Sequence, residues 1–193
     1  MRTISVTMSV TLDGVNQGPG RPDEDTRDGF THGGWGTRYQ DEVMSQKMAR
    51  GMSQPGAMLF GHRTWQDFLG YWPHQTDNPF TDHMNSVTKY VVSTTLHDAD
   101  AWQNSVLLPG DATRSVTTLK AEPDPNLAII GSAKLVRSLH GAGLIDRYTL
   151  LIHPLVLGSG HRMFDETSPL TEFALVRSVP TTVGVIIATY ERA

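Results

Sequence analysis

Short apolar runs alternate with amphipathic segments along most of this sequence, and the alternation limits the fold more than any other feature. Runs with the length of buried strands lie at 57–60, 90–92, 105–108, 127–130 and 147–152. Segments with helical spacing lie at 39–52, 64–69, 112–120 and 133–140. Strands that alternate with helices form a parallel sheet with helices on both faces. The sequence therefore predicts an α/β fold with a mostly parallel central sheet.

The two ends of the chain carry a different pattern. Residues 3–10 alternate between apolar and hydroxyl side chains, which is the period-2 pattern of a strand. Two further strands, at 172–179 and 182–190, flank Pro180-Thr181, which is typical of a hairpin. The hairpin should add antiparallel edge strands to the sheet.

Composition excludes several classes of protein. The 193 residues, which we expect to form a single domain over 1–193, can bury a core without disulfides or metals. The net charge of −4 argues against a nucleic-acid partner, since such proteins need a basic face. Cysteine is absent and the histidines show no metal-ligand spacing, so no metal site is expected. We find no signal peptide and no membrane span, and we expect a cytoplasmic protein.

Two polar stretches interrupt the alternation. Residues 16–36 are rich in Gly, Asp and Pro, and residues 72–86 are polar with a short helix at their end. Long loops inside compact domains are usually functional or disordered. Trp35 and Trp72 lie in these stretches, where an aromatic ring either plugs the core or forms a wall of a substrate pocket. Both are therefore candidates for the substrate pocket.

Three strand ends carry groups that suit a phosphate-bearing ligand. Ligands of parallel α/β sheets bind at the carboxyl ends of the strands. The three ends read GHRT at 61–64, STT at 93–95 and GSA at 131–133. Glycine lets a ligand approach the backbone, and a helix that begins there offers free amides to an anion. Each end taken alone could be ordinary turn chemistry, but three successive ends favour a ligand.

The two common phosphate-binding fingerprints are missing from the sequence. It contains neither G-x-G-x-x-G nor G-x-x-x-x-G-K-[ST]. A standard Rossmann domain and a P-loop are therefore poor interpretations.

Eight short motifs carry a family resemblance that covers nearly the whole chain. They are SVTLDG at 9–14, GGW at 33–35, LFGHRTW at 59–65, YWP at 71–73, KYVVSTTL at 89–96, IGSA at 130–133, GLID at 143–146 and PLVLGSGHRMF at 154–164. In order and spacing they resemble the dihydrofolate reductase-like family, in particular the branch related to the reductase domain of bacterial riboflavin biosynthesis. The resemblance implies a three-layer α/β domain that binds NADPH in an extended pose across the sheet.

The same resemblance implies cofactor contacts at the three strand ends. The residues concerned are Gly61, His62, Arg63, Thr64, Ser93, Thr94, Gly131, Ser132, Ala133, Lys134 and Leu135. The first group would form a phosphate-binding turn, and the second would lie near the adenosine ribose and its 2′-phosphate. The third would hold the pyrophosphate at a helix N-terminus.

Two positions depart from the family pattern. The family usually reads Gly-Arg-x-Thr at the first turn, where the arginine helps to hold the 2′-phosphate. This chain has His62 at that position, with Arg63 one place later, and it has Thr94 where relatives often have arginine. A neutral imidazole is a weaker phosphate partner than a guanidinium. We therefore expect weaker discrimination between NADPH and NADH than is usual in the family.

Three carboxylates are candidates for the proton donor that reduction of a C=N or C=O bond often needs. The family places a catalytic carboxylate on the helix after the long loop, which here begins near Tyr39 with Asp41 and Glu42 in its first turn. Asp13 follows the first strand, at an element that lies near substrate in the family. Each has a structural alternative, because acidic residues stabilise a first helical turn and Asp-Gly is a common turn pair.

Two hypotheses for the function result. The first is an NADPH-dependent reductase, with NADH as the other candidate cofactor, that transfers a hydride to a small heterocyclic, imine or carbonyl substrate. The second is a nucleotide- or metabolite-binding module with little or no turnover. The resemblance also implies a homodimer, joined through the sheet edge or the C-terminal hairpin. The net charge and the short apolar runs predict no nucleic-acid or membrane partner.

Overall fold

One eight-stranded sheet forms the centre of the computed structural model, which describes residues 1–76, 79–123 and 125–193. The strands are β1 (Ile4–Thr11), β2 (Ala57–Gly61), β3 (Lys89–Ser93), β4 (Ser105–Pro109), β5 (Leu127–Ile130), β6 (Arg147–His153), β7 (Phe173–Pro180) and β8 (Ile186–Arg192). Across the sheet their order is β4-β3-β2-β5-β1-β6-β8-β7. All neighbours from β4 to β6 are parallel, whereas β8 is antiparallel to both β6 and β7. The predicted mostly parallel sheet with a C-terminal antiparallel hairpin is confirmed.

Helices lie along the sheet near the predicted positions. They are α1 (Glu42–Met52), α2 (His62–Leu69), α3 (Pro79–Ser86), α4 (Ala112–Ala121) and α5 (Ala133–Gly141), with 3-10 turns at Arg27–Gly29, Thr37–Tyr39 and Trp72–His74. Within the described ranges, no helix is long and apolar enough to cross a membrane.

Several boundaries shift by a few residues from the expectation, including the start of α1 at Glu42 instead of Tyr39, and two of the shifts have a visible cause. Helix α2 begins at His62 instead of Thr64, because Gly61 is still extended and serves as its N-cap. Strand β8 begins at Ile186 instead of residue 182, because the amide of Thr181 donates to the carbonyl of Val185 at 2.8 Å and closes a turn there.

The two faces of β1 have different surroundings. Its apolar residues Ile4, Val6, Met8 and Val10 are buried in the main core with α4 and α5. Its hydroxyl residues Ser5, Thr7 and Ser9 point to the opposite face and are half-buried. On that face, one cluster packs with α2 and α3 and another with α1. The hydroxyl side of a central strand therefore lies between two helical clusters, where it forms the floor of a groove.

The long loop after β1 is held together by Gln17. Its side-chain amide donates to the carbonyl of Arg27 at 3.1 Å, and its side-chain oxygen accepts from the amide of His161 at 2.9 Å. Its backbone carbonyl accepts from the indole of Trp35 at 2.7 Å. Trp35 is buried with Val15 and Phe30 in a small core inside the loop. This packing supports the plug, and a substrate contact of Trp35 stays a prediction.

Lys89 is a buried cation at the start of β3. Its side chain is 0% exposed, and its ammonium donates to the carbonyls of Met84 and Val87, both at 2.8 Å, at the end of α3. It also lies 4.6 Å from the ring centre of Trp102. Burial lowers the pKa of Lys89 to about 8. The lysine thus satisfies carbonyls at the end of α3, but its buried charge destabilises the folded state.

The depressed pKa of Lys89 makes stability depend on pH. Below about pH 8 the lysine is protonated in both states, and the buried charge destabilises the folded state. Between about pH 8 and 10.5 the folded protein loses this proton before the unfolded chain does, so the free energy of unfolding rises, by about 3 kcal/mol in all. This rise is measured by denaturant unfolding of the wild type and Lys89→Met at several pH values. Other titrating groups contribute to both proteins alike and drop out of the difference between them.

The difference between the two proteins should grow in favour of the wild type as the pH rises. Lys134→Met, which removes an exposed lysine, is the matched control and should give a constant difference from the wild type. Parallel curves for wild type and Lys89→Met would contradict the lowered pKa.

Candidate functional site

The three strand ends that the sequence singles out lie together at one edge of the sheet. Strands β3, β2 and β5 are parallel neighbours, so their carboxyl ends meet. The amide of Gly61 donates to the hydroxyl of Ser132 at 3.1 Å, and the amide of Ser132 donates to the hydroxyl of Thr64 at 3.1 Å. The hydroxyl of Thr95 lies 3.2 Å from Nδ1 of His62. We call residues 61–64, 93–95 and 131–135 the cradle.

Two helices begin in the cradle without a side-chain cap. Neither α2 nor α5 has a side chain that accepts from its first amides, whereas Asp41 and Asp111 cap α1 and α4. Uncapped first-turn amides and the positive end of the helix dipole form a binding site for an anion. Gly131 and Ser132 are both in the left-handed region, with φ of 68° and 55°, where the chain turns from β5 into α5.

Gly61 is not required by the fold. Its φ of −78° suits any residue, and a Cβ there would meet only ordinary contacts, the nearest being Cβ of Leu135 at 3.7 Å. Gly131 differs, because its positive φ and the 3.3 Å approach of Thr64 both favour glycine. A glycine that neither backbone nor packing needs leaves space in the cradle for a ligand.

One polar side chain of the cradle holds the shape of a turn, and several others are accessible to a ligand. The buried hydroxyl of Ser93 accepts from the amides of Thr95 and Leu96, both at 3.0 Å, and so shapes the second turn. Thr94, Arg63 and Lys134 are exposed, and His62 is half-buried. The cations of the cradle therefore remain accessible to a ligand.

Asp13 is a structural acceptor at the end of β1. Its carboxylate accepts from the hydroxyl of Thr11 at 2.6 Å and from the amides of Leu157 and Gly158 at 3.2 and 2.9 Å. Burial acts to raise the pKa of Asp13, but these hydrogen bonds outweigh it and hold the pKa below its ordinary value. An ionised carboxylate with three donors is a poor source of a proton.

Asp41 and Glu42 lie at the start of α1. Asp41 accepts from the amide of Met44 at 2.8 Å and, with its other oxygen, from the amide and hydroxyl of Thr182 at 2.7 and 2.8 Å. The cap on Met44 and the bonds from Thr182 lower the pKa of Asp41. Glu42 is exposed and accepts from the side chain of Gln46 at 2.9 Å. The geometry gives Asp41 a structural role, and a catalytic role for either residue stays a prediction.

Trp72 lies one layer behind the groove. It stacks on Phe80 with ring centres 6.1 Å apart and meets Tyr71 and Phe68 edge-on. Phe80 lines the groove, and Trp72 does not. A direct substrate contact of Trp72 stays a prediction, while its support of Phe80 is visible.

The groove on the sheet face has a volume of about 1140 Å³ and runs between α1 and α3. Its floor includes the hydroxyls of Ser5, Thr7 and Thr149, and its walls include Met48 and Met84. The lining mixes apolar groups with polar and charged ones, among them Lys47, Asp146 and Glu191, and a concave space of this kind can hold a small molecule. It extends to the end of β5, immediately before the cradle.

The interpretation of the sequence missed the polar floor of this groove. The hydroxyl alternation of residues 3–10 contained the signal, because both faces of a central parallel strand are covered. A polar face on such a strand indicates a cavity. Among the residues that the structure describes, no group of three or more His, Cys, Asp or Glu side chains could hold a metal ion.

Comparisons with known proteins agree with this architecture. The family model described as the RibD C-terminal domain matches residues 2–187. The protein YyaP of Bacillus subtilis, described as uncharacterized, is 26% identical over 144 residues, which cover 72% of this chain and 75% of YyaP.

Two solved structures share the fold. A protein assigned to riboflavin biosynthesis from Shewanella sp. PV-4 superposes with a TM-score of 0.70 at 18% identity over 99% of both chains. A pyrimidine reductase-like protein from Corynebacterium diphtheriae has a TM-score of 0.67 at 12% identity, covering 100% of this chain and 92% of that one. At such identities the structures establish the dihydrofolate reductase-like fold, and the family match adds the reductase-like character of the domain. This chain belongs to the RibD C-terminal domain family.

Proposed function

We propose that the protein is a reductase that uses NADPH or NADH to reduce a small heterocyclic, imine or carbonyl substrate. The observation that carries this proposal is the meeting of two uncapped helix N-termini at the contact between Gly61 and Ser132. The cofactor of such an enzyme carries a pyrophosphate, and main-chain amides at helix N-termini suit that group. A reduced nicotinamide supplies the hydride.

The cradle fits a dinucleotide in its chemistry. The start of α5, from Ala133 to Leu135, would hold the pyrophosphate, and Arg63 and Lys134 are exposed cations beside it. The absence of a side chain at Gly61 leaves the approach open. Thr94, exposed at the end of β3, would face the adenosine end.

The groove supports the substrate half of the proposal. It reaches Ile130, the residue before Gly131, so a molecule at that end of the groove would lie next to the cradle. The walls of the groove would orient the acceptor and exclude water, which are the main demands of hydride transfer. The hydroxyls of Ser5, Thr7 and Thr149 face the groove and can pass a proton from water to the reduced atom.

One observation favours the binding module as the second candidate function. Asp13 and Asp41 both accept hydrogen bonds from main-chain amides, and these bonds favour the ionised carboxylate over the acid. A protein that binds the dinucleotide without turnover would need no such acid. Turnover measurements separate the two functions.

The test of the proposed function uses a glycine that the fold does not need. We expect Gly61→Ala to keep its stability, because alanine suits this backbone and lowers the entropy of the unfolded chain. Its Cβ should intrude on the bound cofactor and weaken NADPH by about tenfold. Calorimetric titration of NADPH with both proteins, together with thermal melts, measures the two effects.

Gly141→Ala is the matched control, since a Cβ at Gly141, at the far end of α5, meets nothing within 4 Å. Equal NADPH affinity of Gly61→Ala and the wild type would place the cofactor elsewhere. A wild type that binds neither NADPH nor NADH overturns the proposal. Tight binding without oxidation of NADPH by any imine, ketone or pteridine in a panel establishes the binding module instead.

Thr64 should support stability and cofactor binding through the hydrogen bond that its hydroxyl accepts from the amide of Ser132. Thr64→Val keeps the shape but removes the acceptor, and we expect it to cost about 1 to 3 kcal/mol of stability and to weaken NADPH binding. Thr64→Ser keeps the hydroxyl and should stay close to the wild type. Chemical denaturation and NADPH titration of both variants give the answer, and equal behaviour of valine and serine would refute the role of this hydrogen bond.

Cofactor preference should depend on His62. We expect His62→Arg to raise the ratio of NADPH to NADH affinity by about tenfold, because a guanidinium binds the 2′-phosphate more strongly than an imidazole. Affinities for both cofactors, measured by quenching of protein fluorescence, test this. His74→Arg adds the same charge at an exposed histidine outside the cradle and should leave the ratio unchanged. An unchanged ratio in His62→Arg would remove His62 from the 2′-phosphate site.

A further inference from the structure

Cationic side chains gather where α1 passes over the hairpin side of the sheet. Lys47 and Arg50 lie on α1, Arg147 begins β6 and Arg177 lies in β7. Lys47, Arg50 and Arg147 line the groove. The charges of all three arginines act on Lys47. We call these four residues the cationic cluster.

The strand register connects the floor of the groove to this cluster. Thr7 pairs with Thr149, Thr149 with Thr189, and Thr189 with Arg177 across β1, β6, β8 and β7. Directly paired residues point to the same face of a sheet. The hydroxyls of Thr149 and Thr189 are 3.4 Å apart. A row of hydroxyls therefore runs from the groove floor towards Arg177.

The positive charge of the cluster is not balanced by the protein. Arg147 forms an ion pair with Glu191. Within residues 1–76, 79–123 and 125–193, the side chains of Lys47, Arg50 and Arg177 make no ion pair or hydrogen bond. Lys47 is half-buried, and its burial together with the three arginines lowers the pKa of Lys47. The positive charge of Lys47 is therefore unfavourable at this site until an anion binds.

Unpaired cations contrast with the rest of this acidic chain. With a net charge of −4, carboxylates are available, and many cations have one. Such pairs are Arg2–Glu122, Arg21–Asp67, Arg27–Asp25, Lys120–Asp146 and Arg137–Asp165. An exposed helix face accounts for one lysine without an ion pair. It does not account for cations from α1, β6 and β7 that lie together.

We propose that the cationic cluster binds an anionic group, a carboxylate or a phosphate, of the molecule that occupies the groove. In the proposed function that molecule is the substrate, so the inference names its class: an acid whose reducible end lies by the cradle. Guanidinium and ammonium groups bind both anions through charge-assisted hydrogen bonds. The shared groove argues for one molecule over a separate ion, because Lys47 and Ile130 line the same space.

The first experiment measures anion binding directly. Inorganic phosphate and succinate are titrated into the protein saturated with NADPH, so that the cradle is filled, and again into the protein alone. We expect saturable binding of at least one anion in the millimolar range. Lys47→Gln and Arg177→Gln should each weaken it by about tenfold, the usual effect of losing a hydrogen bond to a charged group.

Arg114→Gln is the matched control, because Arg114 is an exposed cation on α4, outside the groove. Its anion affinity should equal that of the wild type. Stronger binding of phosphate identifies a phosphorylated substrate, and stronger binding of succinate identifies a carboxylic acid. Absence of saturable binding, or equal affinity in the wild type, Lys47→Gln and Arg177→Gln, overturns the inference.

The second experiment links the cluster to turnover. Matched pairs of ketones and imines, each as an acid and as its neutral amide, are compared by kcat/KM. We expect the acids to be preferred by about tenfold or more and Lys47→Gln to remove the preference mainly through KM. Equal rates for acids and amides, or a preference that survives in Lys47→Gln, contradict the inference. Absence of NADPH binding defeats the proposed function alone, because the anion titration without cofactor still tests the cluster.

Discussion

The two hydrogen bonds that join Gly61, Ser132 and Thr64 are the contact on which the site depends. They bring the starts of α2 and α5 together while using only one amide from each strand end. Ser132 adopts the left-handed conformation in doing so, at a cost on the order of 1 kcal/mol for a residue other than glycine. In return, the following first-turn amides of α5 face the cradle without a side chain competing for them. Parallel strands supply the frame, since only they bring three chain turns to one edge.

The central position of β1 explains why the same sheet has a solid core and a groove. The apolar side of β1 packs against α4 and α5 in the main core. The hydroxyl side could be buried in an apolar layer only at the expense of unpaired polar groups. The helices on that side therefore pack over the flanking strands and leave β1 accessible. The groove beside the cradle thus follows from the alternation of one strand.

The sequence alone predicted the fold and the location of the cradle well, because both depend on local signals. Short apolar runs gave the strands, and glycine with hydroxyl residues after them marked the turns. The start of β8 was missed because Thr181 closes its turn through a contact with Val185 that no local pattern contains.

The roles of the acidic residues and the cationic cluster could not be predicted from local signals. Asp41 is bound to Thr182, and Asp13 to Gly158, so their states depend on partners more than 130 positions away. The charges of Arg147 and Arg177 act on Lys47 only because tertiary folding brings α1, β6 and β7 near one another. The burial of Trp35 likewise depends on tertiary packing that no local pattern contains.

A cradle built from main-chain amides has a consequence for how such proteins diversify. Replacing a side chain leaves a backbone N–H in place, so in the proposed function the hold on a dinucleotide would tolerate extensive change in the surrounding sequence. Acceptor recognition would instead rest on side chains of α1 and the hairpin, which can change independently of that hold. The shared fold at 12% and 18% identity is consistent with such a division. If the proposed function holds, new acceptors could arise through changes in one wall of the groove while the same redox cofactor stays in use.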